Sequence, residues 1–295
     1  MNRQNLIVNL ILLLNRLVPA TPIHMELARV KRTVRAYQQW EYDEIRRIYE
    51  DFEPYWDLGE KMVLDVGCGL GGKLLFYAEQ GAKKVVGIDL RPFSAMSASH
   101  LISEQANDSI IHIAVGDGAM LPFVDNVFDV VISINVLEHV TNPLSVLREC
   151  RRVLRPGGRL YLHFPPFYSP WGAHLDGWIN FPWPHLFFPE WALVRAAALV
   201  EEQKRLNEQF IPPAQVYWDR LSGLYELNRL TIRQFWKLVK ETNLQVLQCR
   251  FLPFGRHALK QGAIRRILLT LLSAISRVAL LNEIVVTKIA CVLTK

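Results

Sequence analysis

The chain has 295 residues, 51% of them hydrophobic, 21% charged and 11% aromatic; it can bury a full core as one large domain or one domain with insertions, and it is too apolar for a disordered protein. Sixteen Gly and sixteen Pro without a repeating period exclude collagen, solenoid and propeller architectures, and Cys68, Cys150, Cys249 and Cys291 are too widely spaced for a CxxC zinc site. A chain of this size does not depend on a disulfide framework, so a reducing cytoplasm fits these cysteines best.

The net charge of +6 is unevenly spread: from Arg229 onward twelve Lys/Arg face only Glu241 and Glu283. No basic run is long enough for a nucleic-acid arm, which makes membrane headgroups, not nucleic acid, the expected anionic partner. The segment 1–60 opens with LIVNLILLLNRLVPA, whose apolar run is broken by Asn9, Asn15 and Arg16 and is too short to span a bilayer. On a helical wheel Asn9 and Arg16 share one side, Asn15 lies at its margin, and Leu6, Leu10, Leu13, Leu14 and Leu17 fill the other. An amphipathic helix retained on the mature protein is expected, followed by a polar helical stretch from Glu26 to Glu53.

From 61 to 164 the pattern changes to short apolar runs, MVLDV, KVVGID, IIHIAV, FDVVISI and RLYLHF. Between them lie helix-length segments at Lys73 to Gln80, Pro92 to Glu104 and Pro143 to Leu154, the last closed by an Arg155-Pro156-Gly157-Gly158 turn. This alternation predicts an α/β fold with a parallel sheet covered on both faces. Residues 165–228 hold eight of the sixteen prolines and five of the eight tryptophans, the composition of an irregular substrate lid. The remainder, 229–295, predicts a helix from Thr231, as cap, to Thr242, a strand LQVLQC, an amphipathic helical insertion over 261–281 and a terminal strand EIVVTKIACVL. On the Ile264 to Leu281 wheel Arg266, Thr270, Ser273 and Arg277 form a narrow polar face, which suits an interfacial anchor or a helix packed on the sheet edge or on the N-terminal helix.

Val63 to Gly72 reads VLDVGCGLGG, a strand running into a glycine loop and then a helix. Gly67, Gly69 and Gly72 satisfy GxGxxG, and Asp89 stands where a ribose-binding acid belongs, so spacing alone serves NAD and other adenosine cofactors equally. Asp65, two residues before the first glycine, tilts the balance. With it the sequence resembles the class I S-adenosylmethionine-dependent methyltransferases. The match extends through Gly87-Ile88-Asp89, Gly116-Asp117-Gly118 with Leu121-Pro122-Phe123, Phe128-Asp129-Val130-Val131 and Val153 to Gly158, covering roughly residues 60 to 164. The resemblance implies a Rossmann-like, doubly wound, mostly parallel seven-stranded sheet carrying N-terminal helices and two insertions, with S-adenosyl-L-methionine as cofactor. It further implies that Gly67 and Gly69 approach the methionine moiety, that Asp89 receives the ribose hydroxyls and that Asp117 receives the adenine amino group. Asp65 either contacts the cofactor or satisfies loop amides at the strand end.

After the fourth strand, Asn135-Val136-Leu137-Glu138-His139-Val140 lies where acceptor and methyl meet in this fold. The LEHV string resembles that of the ubiquinone-pathway O-methyltransferases, in which the acid and the histidine lie beside the acceptor and can hold a metal. Here Asn135, counted with the cofactor-binding residues, replaces a carboxylate of that pattern, and no metal is expected. His139 is either a general base for a hydroxyl acceptor or a structural residue capping the next loop; Glu138 beside it is the second catalytic candidate. His163, Tyr168 and His174 are candidate substrate-lining residues, the rings around them being either the wall of an apolar pocket or packing of the insertion. The sum is methyl transfer to a hydrophobic or lipid-like small molecule, most naturally at oxygen, by a cytoplasmic enzyme with possible peripheral membrane contact. The rivals are an NAD-dependent oxidoreductase and a non-catalytic, methyltransferase-like membrane module.

Overall fold

The computed structural model describes residues 3–19, 33–104, 110–175, 178–206, 227–253, 275, 278 and 281–295. The chain divides into two compact units. One comprises Thr33–Phe164, Ile232–Arg250 and Ile289–Lys295, the other Met1–Arg32, Pro165–Thr231 and Phe251–Lys288.

The apolar runs of the first unit become strands because each is long enough to cross a sheet and too short for a stable helix. β1 (Met62–Val66), β2 (Lys84–Asp89), β3 (Ile111–Val115), β4 (Phe128–Ile134) and β5 (Leu154–Phe164) are joined to β6 (Gln245–Pro253) and β7 (Val286–Thr294) in one seven-stranded sheet of order β3-β2-β1-β4-β5-β7-β6. β1 to β5 pair in parallel, and β7 runs antiparallel to β5, so the α/β, doubly wound, mostly parallel fold is as expected. In β1 and β4, Val63, Leu64, Val131 and Ile132 are completely buried. That is why these runs are apolar at every position and not at alternate ones.

The helices of this unit are α2 (Val34–Ile48), α3 (Gly72–Glu79), α4 (Pro92–Ser103), α5 (Pro143–Val153) and α8 (Ile232–Thr242). Their starts are chemically marked. Thr33 Oγ1 accepts the Ala36 N–H before α2, and Asn142 Oδ1 accepts the Ser145 N–H ahead of Pro143 in α5, each satisfying one of the free donors of a first turn. Strand order reverses at β1, whose neighbours are β2 on one side and β4 on the other. The loops that leave the carboxyl ends of β1 and β4 therefore diverge and open a crevice.

Three expectations are corrected here. IIHIAV reads as a buried strand, yet β3 is an edge strand with His112 and Val115 exposed. The strand after the Arg155-Pro156-Gly157-Gly158 turn begins before the turn, because Leu154 already pairs with Phe128. The start of the terminal strand is instead a short helix, α9 (Asn282–Val285), so pairing begins at Val286. Of the expected amphipathic 264–281 helix only Ile275, Val278 and Leu281 are among the described residues, so the expectation as a whole lies outside them.

In the second unit α1 (Arg3–Leu17) packs on α7 (Glu190–Leu206), preceded by the short α6 (Pro184–Phe187). Val8 and Ile11 meet Ala192, Ala196 and Ala197, whose small side chains permit close helix approach, together with Trp178, Ile179 and Phe181. Asn15 is the polar group turned inward: its Nδ2 donates to Trp178 O at 2.7 Å and its Oδ1 accepts the Asn180 N–H at 2.6 Å. Leu6, Leu10, Leu13 and Leu17 consequently face outward, 47–70% exposed. The helix is present where the sequence predicts it, but its leucine stripe points away from the core of its own unit.

Candidate active site

At the carboxyl end of β1 the chain turns sharply through Gly67, Gly69 and Gly71, all at positive φ, and enters α3. The turn is fixed by protein contacts. Gly67 and Cys68 both donate their N–H to Ile88 O, at 2.8 and 2.9 Å. A Cβ on Gly67 would lie 2.3 Å from Val136 Cγ2, so glycine is required there for the loop after β4 to pack against it.

Three carboxylates converge on this loop. Asp89, at the end of β2, accepts the Gly69 N–H at 3.0 Å through Oδ2 and the Arg91 N–H at 3.0 Å through Oδ1. Asp65 is fully buried with Lys73 Nζ 3.8 Å from its Oδ2. Glu41, from α2, accepts the Leu70 N–H at 3.2 Å and the Gly72 N–H at 3.1 Å, one on each oxygen, and is itself buried. Gln38, one turn earlier, donates to Leu70 O at 3.1 Å. The sequence reading missed Glu41, Gln38 and Lys73. Glu41 lies about thirty residues before the amides it binds, and within α2 it reads as one more polar residue on a polar helix.

Burial dominates the electrostatics. It pushes the Asp65 carboxyl up to about 6 against the pull of Lys73 and the Tyr77 hydroxyl, and the Glu41 carboxyl up to about 7 against Lys73 and the two amides. Lys73 behaves oppositely: burial disfavours its charge, but Asp65 and Glu41 outweigh burial and hold it protonated. Its Nζ also donates to Gly67 O at 3.0 Å. The loop is therefore anionic, with one buried ammonium among three carboxylates.

This arrangement tests the cofactor class. A pyrophosphate at a GxGxxG loop needs the free amides at the start of the following helix. Here Glu41 already occupies the Leu70 and Gly72 amides, and its charge and that of Asp65 repel phosphate. A phosphate-free, cationic sulfonium cofactor fits the same donor set. Gly67, Gly69 and Asp89 would hold it, with the fully buried Asp65 contributing charge from behind the loop.

The remaining sequence candidates fall as follows. Asp117, after β3, is exposed, and its Oδ1 accepts the Ala119 N–H at 2.8 Å. The loop beyond it is tied down by Arg152, which donates to Leu121 O and Phe123 O and pairs with Glu149 and Asp125. Asn135, at the end of β4, has φ of +55°, the left-handed region that asparagine adopts more readily than other non-glycine residues, and its Nδ2 donates to Glu44 Oε1 at 3.2 Å. Glu138 is buried with Oε1 3.9 Å from His139 Nε2. His139 keeps partial access to solvent, its side chain 17% exposed. His163 is buried in β5 with its ring edge-on to Phe52. Asp65, Gly67, Gly69, Asp89, Asn135, Glu138 and His139 thus share the carboxyl ends of adjacent strands in one unit. Tyr168 and His174 belong to the other unit, where the Tyr168 ring packs edge-on against Phe167 and the His174 N–H donates to Trp171 O at 2.9 Å.

Residues 64–162 match a family model described as a methyltransferase domain. Norajmaline N-methyltransferase of Rauvolfia serpentina is 34% identical over 102 residues, 35% of each chain. Ubiquinone biosynthesis O-methyltransferase of Pseudomonas paraeruginosa is 31% identical over 147 residues, 47% of this chain and 62% of that protein. The chain thus spans less than two thirds of the length of either relative. Among solved structures, a geranyl diphosphate methyltransferase in complex with SAM superposes with a TM-score of 0.53 at 15% identity, covering 94% of this chain and 96% of that one, a likeness of fold.

Lys73→Met removes the one buried cation beside Asp65 and is expected to cost about 3–5 kcal/mol of stability. Without Lys73 the Asp65 carboxyl rises further and protonation relieves it, so urea denaturation should show the larger loss at about pH 8 and the smaller at about pH 5. Equal losses at both pH values would contradict the role given to Lys73.

Proposed function

We propose that residues 64–162, which match a methyltransferase-domain model, act as a class I S-adenosylmethionine-dependent methyltransferase domain, and that the protein transfers a methyl group to a hydrophobic small molecule, at oxygen. The observation that carries this reading is the loop in which Glu41 holds the amides a dinucleotide needs. The cofactor supplies an electrophilic methyl on a sulfonium when bound, and transfer is an in-line displacement that asks chiefly for positioning and exclusion of water. Asp89 offers its carboxylate to the ribose hydroxyls and Asp117 its carboxylate to the adenine amino group. Asp65 and Gly67 flank the methionine end.

A hydroxyl acceptor also needs a base, and His139 is the group we assign to it. Its Nε2 lies 3.9 Å from Oε1 of the buried Glu138, and its side chain keeps partial access to solvent. His163, buried at the carboxyl end of β5 in the same unit, is proposed to border the acceptor. The relatives methylate nitrogen and oxygen, so oxygen rests on His139 and not on them. With labelled methyl donor and extracts of lipids and metabolites as acceptors, wild type should label a hydrophobic product. His139→Gln should lower turnover on that product by about 10²-fold or more while cofactor affinity is kept. Unchanged turnover across neutral pH would remove His139 as base, and absence of any labelled product would remove the activity.

We further propose peripheral membrane contact on the cytoplasmic side. Among the described residues no helix is long and apolar enough to cross a membrane, but the outward stripe of Leu6, Leu10, Leu13 and Leu17 offers an apolar face to an interface, and the net charge of +6 favours anionic lipid. The four cysteines are free thiols, the form a reducing compartment maintains. Replacing Leu10 and Leu13 by Gln should abolish co-sedimentation with phosphatidylserine-containing vesicles, each leucine contributing about 1.5–3 kcal/mol on burial. Failure of the wild type to sediment, or equal sedimentation of both proteins, would rule the stripe out as a membrane face.

A further inference from the structure

Glu41 stands in the middle of α2, on a helix that precedes the domain core in the chain, yet it is built into the glycine loop. Its Oε1 takes the Leu70 N–H and its Oε2 the Gly72 N–H. A Cβ on Gly69 would lie 2.1 Å from Oε1, and one on Gly72 would lie 1.9 Å from Gln38 O and 2.8 Å from Glu41 Cβ. Two of the loop's glycines are thus explained by the close approach of α2 as well as by any ligand. The helix and the loop make one unit of structure, with a carboxylate at the join.

We propose that Glu41 is a positioning residue of the cofactor site that also sets its charge: held against the loop by two amides, its ionised carboxylate makes the site prefer the cationic methyl donor over the thioether product, which lacks the sulfonium. The inference rests on the methyl-transfer reading above. The titratable groups that face Glu41 are Asp65 from β1, Cys68 from the loop, and Lys73 and Tyr77 from α3. Lys73 stays protonated, and burial pushes the Cys68 thiol and Tyr77 hydroxyl well up, so that both are neutral near pH 7. Asp65, raised to about 6, is mostly ionised there, and Glu41, raised to about 7, is the group whose charge changes across the neutral range. Binding a sulfonium lowers the Glu41 value, so the donor's affinity rises with pH while the product's does not share that rise.

Calorimetric titration of the full chain with S-adenosylmethionine and S-adenosylhomocysteine, from about pH 6 to about pH 8.5, reads this as the ratio of the two affinities. Wild type should show the ratio rising by roughly fivefold, which is what one pKa unit of coupling gives over that range. Glu41→Gln should lose that rise, and Glu41→Asp should keep it. The ligands' own amino groups titrate as well, and identically for each protein, so the difference between proteins isolates residue 41. The proposal is overturned if Glu41→Gln keeps the wild-type rise, or if the wild-type ratio is flat, a result that needs no variant to fold. Binding of neither ligand to wild type would overturn the methyl-transfer reading itself, whereas binding of both with a flat ratio overturns only the role of Glu41.

Discussion

The carboxylate of Glu41, shared between the Leu70 and Gly72 amides, is the contact on which the rest of the site depends. The first amides of a helix are donors without partners in their own helix, and a buried helix start must find acceptors for them. In a dinucleotide-binding loop the ligand provides those acceptors. Here the protein provides them from a neighbouring helix, and each amide from Gly67 to Gly72 has an acceptor within the protein. Its shape follows: the tight turn at Gly67, the approach at Gly69 and the backbone contact at Gly72 are all set by α2 and Val136.

Placing Glu41 and Asp65 in the interior is costly, as their raised carboxyl values record. Lys73 makes the arrangement tolerable by sitting beside Asp65, donating to the Gly67 carbonyl and attracting Glu41 electrostatically, all from one position in α3. The balance still leaves excess negative charge beside a helix start, a place where electrostatics ordinarily favours it. A ligand bearing positive charge and no phosphate is the natural complement, which is how local stability and ligand choice come from one set of groups.

Much of this was legible in the sequence, and the exceptions have physical reasons. The strands of the sheet are short apolar runs whose length and spacing declare them, and VLDVGCGLGG with Asp89 declares the glycine loop and the acid that meets it because those residues are local to strand ends. β3 misled because an edge strand and a central one can share an apolar pattern while differing in who covers them. For α1 the wheel tells which residues share a side, not which side meets the core, and the bonds of Asn15 to Trp178 and Asn180 decide that. Glu41 was invisible because its partners are backbone amides in a distant loop, and backbone donors leave no residue-type signature. Tyr168 and His174 follow the sheet in sequence but fold into the other unit, where rings pack on rings.

The most direct measurement is a calorimetric titration of the purified full chain with S-adenosylmethionine and, separately, with NAD at neutral pH. A loop whose helix-start amides are held by Glu41 and whose surroundings are anionic should bind S-adenosylmethionine saturably, one per chain, and give no heat with NAD. Saturable binding of NAD with none of S-adenosylmethionine would show that Glu41 yields its amides to a pyrophosphate, and would contradict the account.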